Sequence, residues 1–433
     1  MIYRDGILKD LAAIIAFWLV LVVAYQVFVT PVFRSEFVLD FIPTNALVAL
    51  FHVVYVSAIV LYLDVEPYRP SRVGVMIIFV FLFIPFCAFY AFREVPYWNL
   101  GVLAVGMFHL AVMVRALPVV RIPPIGQVLS GGLMVGAAAI TLYVFAGLLL
   151  QGGLQRFSLD FGEVYEMRRQ YMAQVSFPLS AYFITWVANV LNISFIAVAI
   201  VRSNRKMLIL GIVAQVLIFA LTSFKSFALA PFIVVAIMYA SERMGMYRIV
   251  FMVMGATILS MLVYFQMSGN VLLPSILVRR QFVIPALLHS YYFEYFSLNP
   301  KVLLSNSILS LIFDYPYSQP VTRVISFAYF GRDFGPNVGV YGDAFTHFGV
   351  VGIFVFNAIL AGLLKIADSV GSGLRTRLVA GIMALPLMSL VNSALFTTML
   401  THGLLLSILV AWFVGSRDVN RLRASGGYSM AIK

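Results

Sequence analysis

The sequence predicts an all-α polytopic integral membrane protein of about twelve transmembrane helices in a single membrane domain, 1–433. Three observations predict it. Only 11% of the residues are charged while 62% are hydrophobic, far from the roughly 25% charged of soluble domains. Apolar windows of about 20 residues, the length that spans a bilayer, recur along the whole chain. The breaks between them are short and rich in Pro, Gly, Arg and Lys.

Arg4 and Lys9 precede the first span, near 10–33, which reads as an uncleaved anchor because no small-residue cleavage site precedes Pro31. Spans follow near 41–63, 73–92, 99–114 and 128–150, interrupted by EPYRPSR and FREVPYW. A polar loop at 151–178 precedes the sixth span, 179–201. RSNRK then leads to 207–222, and TSFKSF to an eighth span that ends near 241. The ninth covers 248–266. A long segment, 267–345, precedes the last three, near 346–364, 378–395 and 398–414. The tail, RDVNRLRASGGYSMAIK, reads as basic and loose.

Twelve spans put both termini on one side. Lys and Arg on that side number 18 of the 29, against 11 opposite, so the termini are expected to be cytoplasmic. The net charge of +12 is therefore read as topological, and no nucleic-acid partner is predicted. The single cysteine, Cys87, excludes an intramolecular disulfide. No P-loop, HExxH, CxxC, GxSxG or DxD pattern occurs, so neither a cofactor nor a metal is predicted, and ATP-driven work and nucleotide-sugar donors are disfavoured.

The loop segments 151–178 and 267–345 carry most of the cations on the non-cytoplasmic side. Arg279 and Arg280 precede Pro285, which suits the first position of a short aromatic helix, ALLHSYYFEYFS, expected to lie along the membrane surface. Their guanidiniums offer forked donors for phosphate oxygens, or else contact headgroups or pair with Glu294 or Asp314. His289, Tyr292 and Glu294 share that helix. Lys225 and Ser226 sit at a tight turn with little room for the ammonium to escape the membrane surface. In GPNVGVYGDAFTHFG, glycines surround Asn337, Asp343 and His347. A helix beginning near 342 would put Asp343 and His347 on one face, where they could take a proton from an acceptor hydroxyl. Thr398 and His402 have the same spacing in NSALFTTMLTHGLLL. In 151–178, Tyr165 and Tyr171 are candidates for stacking on sugar rings.

TSFKSFALAP, RRQFVIPALLHSYYFEYFSLNP, GPNVGVYGDAFTHFGVVG and SALFTTMLTHGLLL, in this order, resemble the Wzy-type O-antigen and exopolysaccharide repeat-unit polymerases. The resemblance covers about 220–412. It implies a GT-C-like fold in a bacterial inner membrane, with 267–345 as the main periplasmic loop and the active site facing the periplasm. It further implies glycosyl transfer of the growing glycan from undecaprenyl pyrophosphate to the non-reducing end of an incoming lipid-linked repeat unit. The expected partners are undecaprenyl-pyrophosphate-linked oligosaccharides, membrane lipids and a chain-length regulator protein. Arg279, Arg280 and Lys225 would stabilise the leaving pyrophosphate, with Ser226, Asn337, Tyr292, His289, Thr398 and His402 also binding substrate. Asp343, Glu294 and His347, in that order, are the candidate bases. The arginine followed eleven residues later by glycine, present in some members, does not occur at Arg279, Arg280, Arg323 or Arg332, so a mechanism built on it does not carry over. An O-antigen ligase, using the same donor, and a flippase of lipid-linked sugars are the alternatives. A flippase would suit twelve spans, but no internal repeat is visible.

Overall fold

Backbone polar groups in hydrocarbon must bond within their own segment, so apolar windows of this length fold as helices. The computed structural model describes residues 2–37, 42–64, 69–93, 96–160, 163–243, 245–307, 309–371 and 374–424. Among the described residues every regular element is helical. The side chain of Tyr165 and the tail beyond 424 lie outside them.

Ten helices are long and apolar enough to cross a membrane, from Gly6–Phe37 to Leu395–Ser416, which makes the protein a multi-pass membrane protein. The eighth and eleventh expected spans are shorter, at Lys225–Ser241 with 17 residues and Thr376–Ser389 with 14. Fourteen residues reach about 21 Å, short of a hydrocarbon core of about 30 Å. Thr376–Ser389 thus stops part-way along the bundle. Its continuation is an irregular stretch, the short helix Leu395–Leu400, and a turn at Gly403 with φ +81°.

The span Pro70–Phe92 is the centre of the bundle, with 94% of its window buried. Aromatic contacts tie its neighbours together. Phe17 packs on Phe251 at 5.1 Å, Phe28 on Phe265 at 5.0 Å, and Phe79 and Phe83 stack beside Tyr247 and Phe251. Gln127–Gly153 is only 11% buried and lies at the periphery. It joins a second, smaller core with Tyr171, Ile184, Phe219 and Phe227.

The aromatic helix departs from expectation. It does not begin at Pro285 but runs continuously from Leu272 through a π-helical stretch, Ser275–Val283, into Ile284–Leu298. Nor does it lie on the surface, since every residue from Pro285 to Phe293 is buried. The reason is that its rings point to all sides and each side finds a partner. Phe282 meets Phe17 and Phe81, Phe293 meets Phe86, Trp98 and Phe345, and Tyr291 stacks on Tyr329 at 4.1 Å. Burying rings on several faces outweighs the interfacial arrangement that an isolated amphipathic helix would choose.

Candidate active site

The site is built by a helix that folds back on itself. Val340–Val370 has non-helical backbone at Phe348 and at Gly349, whose φ of +62° and ψ of −142° suit glycine alone. The consequence is visible against Tyr97–Ala116. Tyr341 Oη lies 3.7 Å from Met107 Sδ, while Asn357 Nδ2 donates to the adjacent Gly106 carbonyl at 2.8 Å. Sixteen residues of straight helix would part them by about 24 Å. Instead Val340–His347 doubles back beside the following turns, so close that a Cβ on Gly352 would stand 2.1 Å from the Ala344 carbonyl oxygen.

The start of this helix is pinned against the irregular stretch after Thr376–Ser389. Val340 N–H donates to the Leu390 carbonyl at 2.9 Å. A Cβ on Gly339 would lie 2.3 Å from the Val391 carbonyl oxygen, so only glycine lets the two backbones approach. Two broken segments thus meet inside the bundle, which membrane proteins tolerate where irregular backbone is enclosed by protein or lines a cavity.

Asp343 and His347 lie on one face of the folded-back helix, as their spacing predicts, with Asp343 Oδ1 3.4 Å from His347 Nε2. His347 Nδ1 accepts from the Leu304 N–H at 3.1 Å, so the neutral ring carries its proton on Nε2 and aims it at Asp343. The other carboxylate oxygen, Oδ2, is buried with no hydrogen-bond partner among the described residues. The strand of loop that orients His347 is itself strained, with Leu303 and Leu304 at φ +53° and +56°. Left-handed leucines cost roughly 1–2 kcal/mol each. Bonds from Val302 and Leu303 N–H to the Thr346 and His347 carbonyls, at 3.0 and 3.3 Å, hold them there. Strain of this kind clusters at functional sites.

Other candidates fall into three groups. Tyr292 lies near Asp343, where burial and then the Asp343 charge raise its pKa, but its hydroxyl is committed to the Pro336 carbonyl at 2.8 Å. It therefore positions the loop that presents exposed Asn337. Thr398 and His402 follow the break that holds Gly339. Thr398 is fully buried with its hydroxyl unpartnered among the described residues, and His402 Nε2 lies 3.1 Å from Ser393 Oγ. Half-buried Lys225 and exposed Ser226 open Lys225–Ser241, which packs along Thr376–Ser389 with Met238 against Gly381. The opposite directions of these two helices bring Lys225 toward the end where Thr376–Ser389 breaks.

The expected surface placement of His289 is corrected: the residue is fully buried, and its Nδ1–H donates to the Pro285 carbonyl at 2.7 Å. Glu294 Oε1 accepts from Ser290 Oγ at 2.6 Å, and Oε2 lies 3.7 Å from Arg93 in an ion pair that competes with a role as base. The paired arginines also divide. Arg279 is bound to Glu36 at 3.6 Å and stacks on Phe33 at 4.5 Å, so its partner is neither Glu294 nor Asp314. Arg280 is exposed and has no ion-pair partner among the described residues.

Sequence reasoning missed three residues. Glu36 collects both Arg279 and Arg332, the latter at 3.4 Å. Arg93 stacks on Tyr291 at 4.7 Å. Lys301 donates to the Phe296 carbonyl and lies 4.2 Å over the Phe345 ring, close to Gly349, and burial lowers its pKa. The signal for Glu36 and Arg93 was their place at the ends of apolar spans, where a charge needs a partner. Comparison with protein-family models, curated proteins and solved structures finds no match to this chain.

Proposed function

We propose that the protein is a membrane-embedded glycosyltransferase that polymerises lipid-linked oligosaccharide repeat units, moving the growing glycan from undecaprenyl pyrophosphate to the non-reducing end of an incoming unit. The observation that carries this reading is the buried Asp343–His347 pair, one carboxylate oxygen of which has no hydrogen-bond partner among the described residues, held by two broken helices in a bundle that also carries the exposed Arg280. A carboxylate placed this way accepts a proton from a sugar hydroxyl, which general-base catalysis makes worth about 10²–10⁴-fold in rate. His347 holds the carboxylate oriented through Oδ1 and leaves Oδ2 for the hydroxyl.

In the proposed step the acceptor oxygen forms its bond to the anomeric carbon as the bond to pyrophosphate breaks. The proton goes to Asp343, and the electron pair leaves on the polyprenyl pyrophosphate. Arg280, Lys225 and Lys301 stabilise the charge that develops there. Direct displacement inverts the anomeric centre. The reading carries with it a GT-C-like fold in a bacterial inner membrane, cytoplasmic termini, a periplasmic site, and a chain-length regulator as partner protein.

The test in cells uses a strain lacking this protein, complemented with wild type or with Asp343→Asn at matched membrane level. Gel separation of surface polysaccharide is expected to show a ladder for wild type and single repeat units alone for the variant. Loss of even the single repeat would contradict polymerisation and favour a ligase or a flippase, because both act on that unit too.

A further inference from the structure

The loop beyond the aromatic helix contains DYPYSQP at 314–320, with a tyrosine on each side of Pro316. Proline fixes its own backbone and pushes the residue before it into extended conformations, where alternate side chains point the same way. Tyr315 and Tyr317 accordingly come together, with ring centroids 5.9 Å apart. Tyr295, near the end of the helix Ile284–Leu298, joins them at 6.2 Å from Tyr317. All three rings are half-buried.

Two features separate these rings from ordinary loop core. Tyr315 Oη donates to the Gln319 carbonyl at 2.7 Å and Tyr317 Oη to the Pro300 carbonyl at 2.6 Å, which fixes the ring orientations. None of the three is stacked face to face on another ring among the described residues; their contacts with each other and with Phe296 are tilted or edge-on. Tyr291, by contrast, is buried and closed by Tyr329, stacked on it at 4.1 Å.

The rings also lie beside the proposed catalytic pair. Pro300, which anchors Tyr317, precedes Lys301 over the Phe345 ring, and Val302 N–H donates to the Thr346 carbonyl. The chain at 300–302 therefore runs along the folded-back helix that carries Asp343 and His347. Phe296 bridges Tyr317, 6.0 Å away, to Tyr292, 6.1 Å away, whose hydroxyl holds the loop of exposed Asn337. Exposed Asp314 and Gln319 flank the two loop tyrosines with a carboxylate and an amide.

This combination matches the chemistry of a sugar ring. One face of a pyranose carries C–H bonds that pack on a π-face, while its rim of hydroxyls seeks donors and acceptors. Rings already held in place bind at a lower cost in entropy. We propose that Tyr295, Tyr315 and Tyr317 form a stacking platform for a sugar residue of the lipid-linked glycan, an inference that rests on the glycosyl-transfer reading for the identity of the ligand. A glycan held there presents a set hydroxyl to Asp343, so the platform fixes the register of each transfer.

The test uses the full chain in detergent and the repeat-unit oligosaccharide of the host glycan, freed from its lipid by mild acid. Isothermal titration reads binding, and elongation in lipid vesicles is followed in parallel. Wild type is expected to bind saturably. Tyr315→Leu and Tyr317→Leu keep bulk but remove the ring face, and each is expected to weaken binding about tenfold. Tyr317→Phe keeps the face and is expected to stay within about threefold of wild type. Tyr62→Ala, at a ring 65% exposed on Ala46–Leu63, is expected to bind as wild type does. Wild-type affinity in either Leu variant, an equal loss in Tyr317→Phe and Tyr317→Leu, or no saturable binding by wild type would overturn the platform. Binding that the Leu variants lose, in a protein whose wild type never elongates, would keep the platform and overturn glycosyl transfer. Elongation by wild type with binding unchanged in the Leu variants would do the reverse. Should one Leu variant not accumulate, the other carries the test.

Discussion

In the proposed reaction the chemistry turns on Asp343 and Arg280, and their surroundings separate what each mutation should do. Arg280 is exposed and has no ion-pair partner among the described residues, whereas Arg279 is tied to Glu36 and stacked on Phe33. Arg280→Ala should therefore shorten the polysaccharide while leaving thermal stability unchanged within about 0.5 kcal/mol. Arg279→Ala should destabilise the protein as well, because it leaves the Glu36 carboxylate with Arg332 alone. Unfolding of both variants in detergent checks the contrast, and equal stabilities would contradict it. His347→Gln keeps a donor but loses the aromatic ring and its oriented proton. Its elongation rate is expected to fall less than that of Asp343→Asn.

At the scale of the element, two glycines decide whether the site exists. Gly339 allows the backbone of the folded-back helix to touch Val391, and Gly349 makes the reversal itself. Gly339→Ala is expected to cost on the order of 1–3 kcal/mol of stability as overpacking against backbone, and to abolish elongation with it. Calorimetric or fluorescence melting measures this, and a wild-type melting temperature would show that the two segments do not meet. The sequence carried the helical spacing of Asp343 and His347 plainly, because a separation of four residues on a helix is a local property. It did not carry the reversal at Gly349. The apolar pattern on either side is continuous, and a left-handed glycine leaves no mark in hydropathy. For the same reason the aromatic helix reads from its sequence as an interfacial one. Which rings surround Phe282 and Phe293 is settled by distant segments, not by the helix itself.

For the whole molecule, the helical, multi-pass character was legible because twenty-residue apolar windows have one common solution in a bilayer. The number of full spans was less so. Lys225–Ser241 and Thr376–Ser389 read as spans by composition, yet the second ends where its carbonyls are needed by Val340. Partner choice across long separations, as between Glu36 and Arg279 or between Ser71 and Asp368, was not legible at all. The arrangement of ends can be tested with cysteine labels, since the single native thiol, Cys87, is buried. With Cys87→Ser as background, a cysteine at exposed Asn337 is expected to react with an impermeant maleimide from the outer face of the membrane. One at exposed Lys206 should react only after the membrane is opened. Labelling of both from the same face would contradict the proposed topology.

The measurement that bears most directly on the central claim is elongation by the purified protein in lipid vesicles, supplied with a synthetic polyprenyl-pyrophosphate-linked repeat unit of the host glycan. Wild type is expected to yield products of two and more units joined with inverted anomeric configuration. Asp343→Asn should bind the same donor yet lengthen it about 10²–10⁴-fold more slowly. An Asp343→Asn protein that elongates at the wild-type rate, or a wild type that yields no lengthened product, would contradict the account.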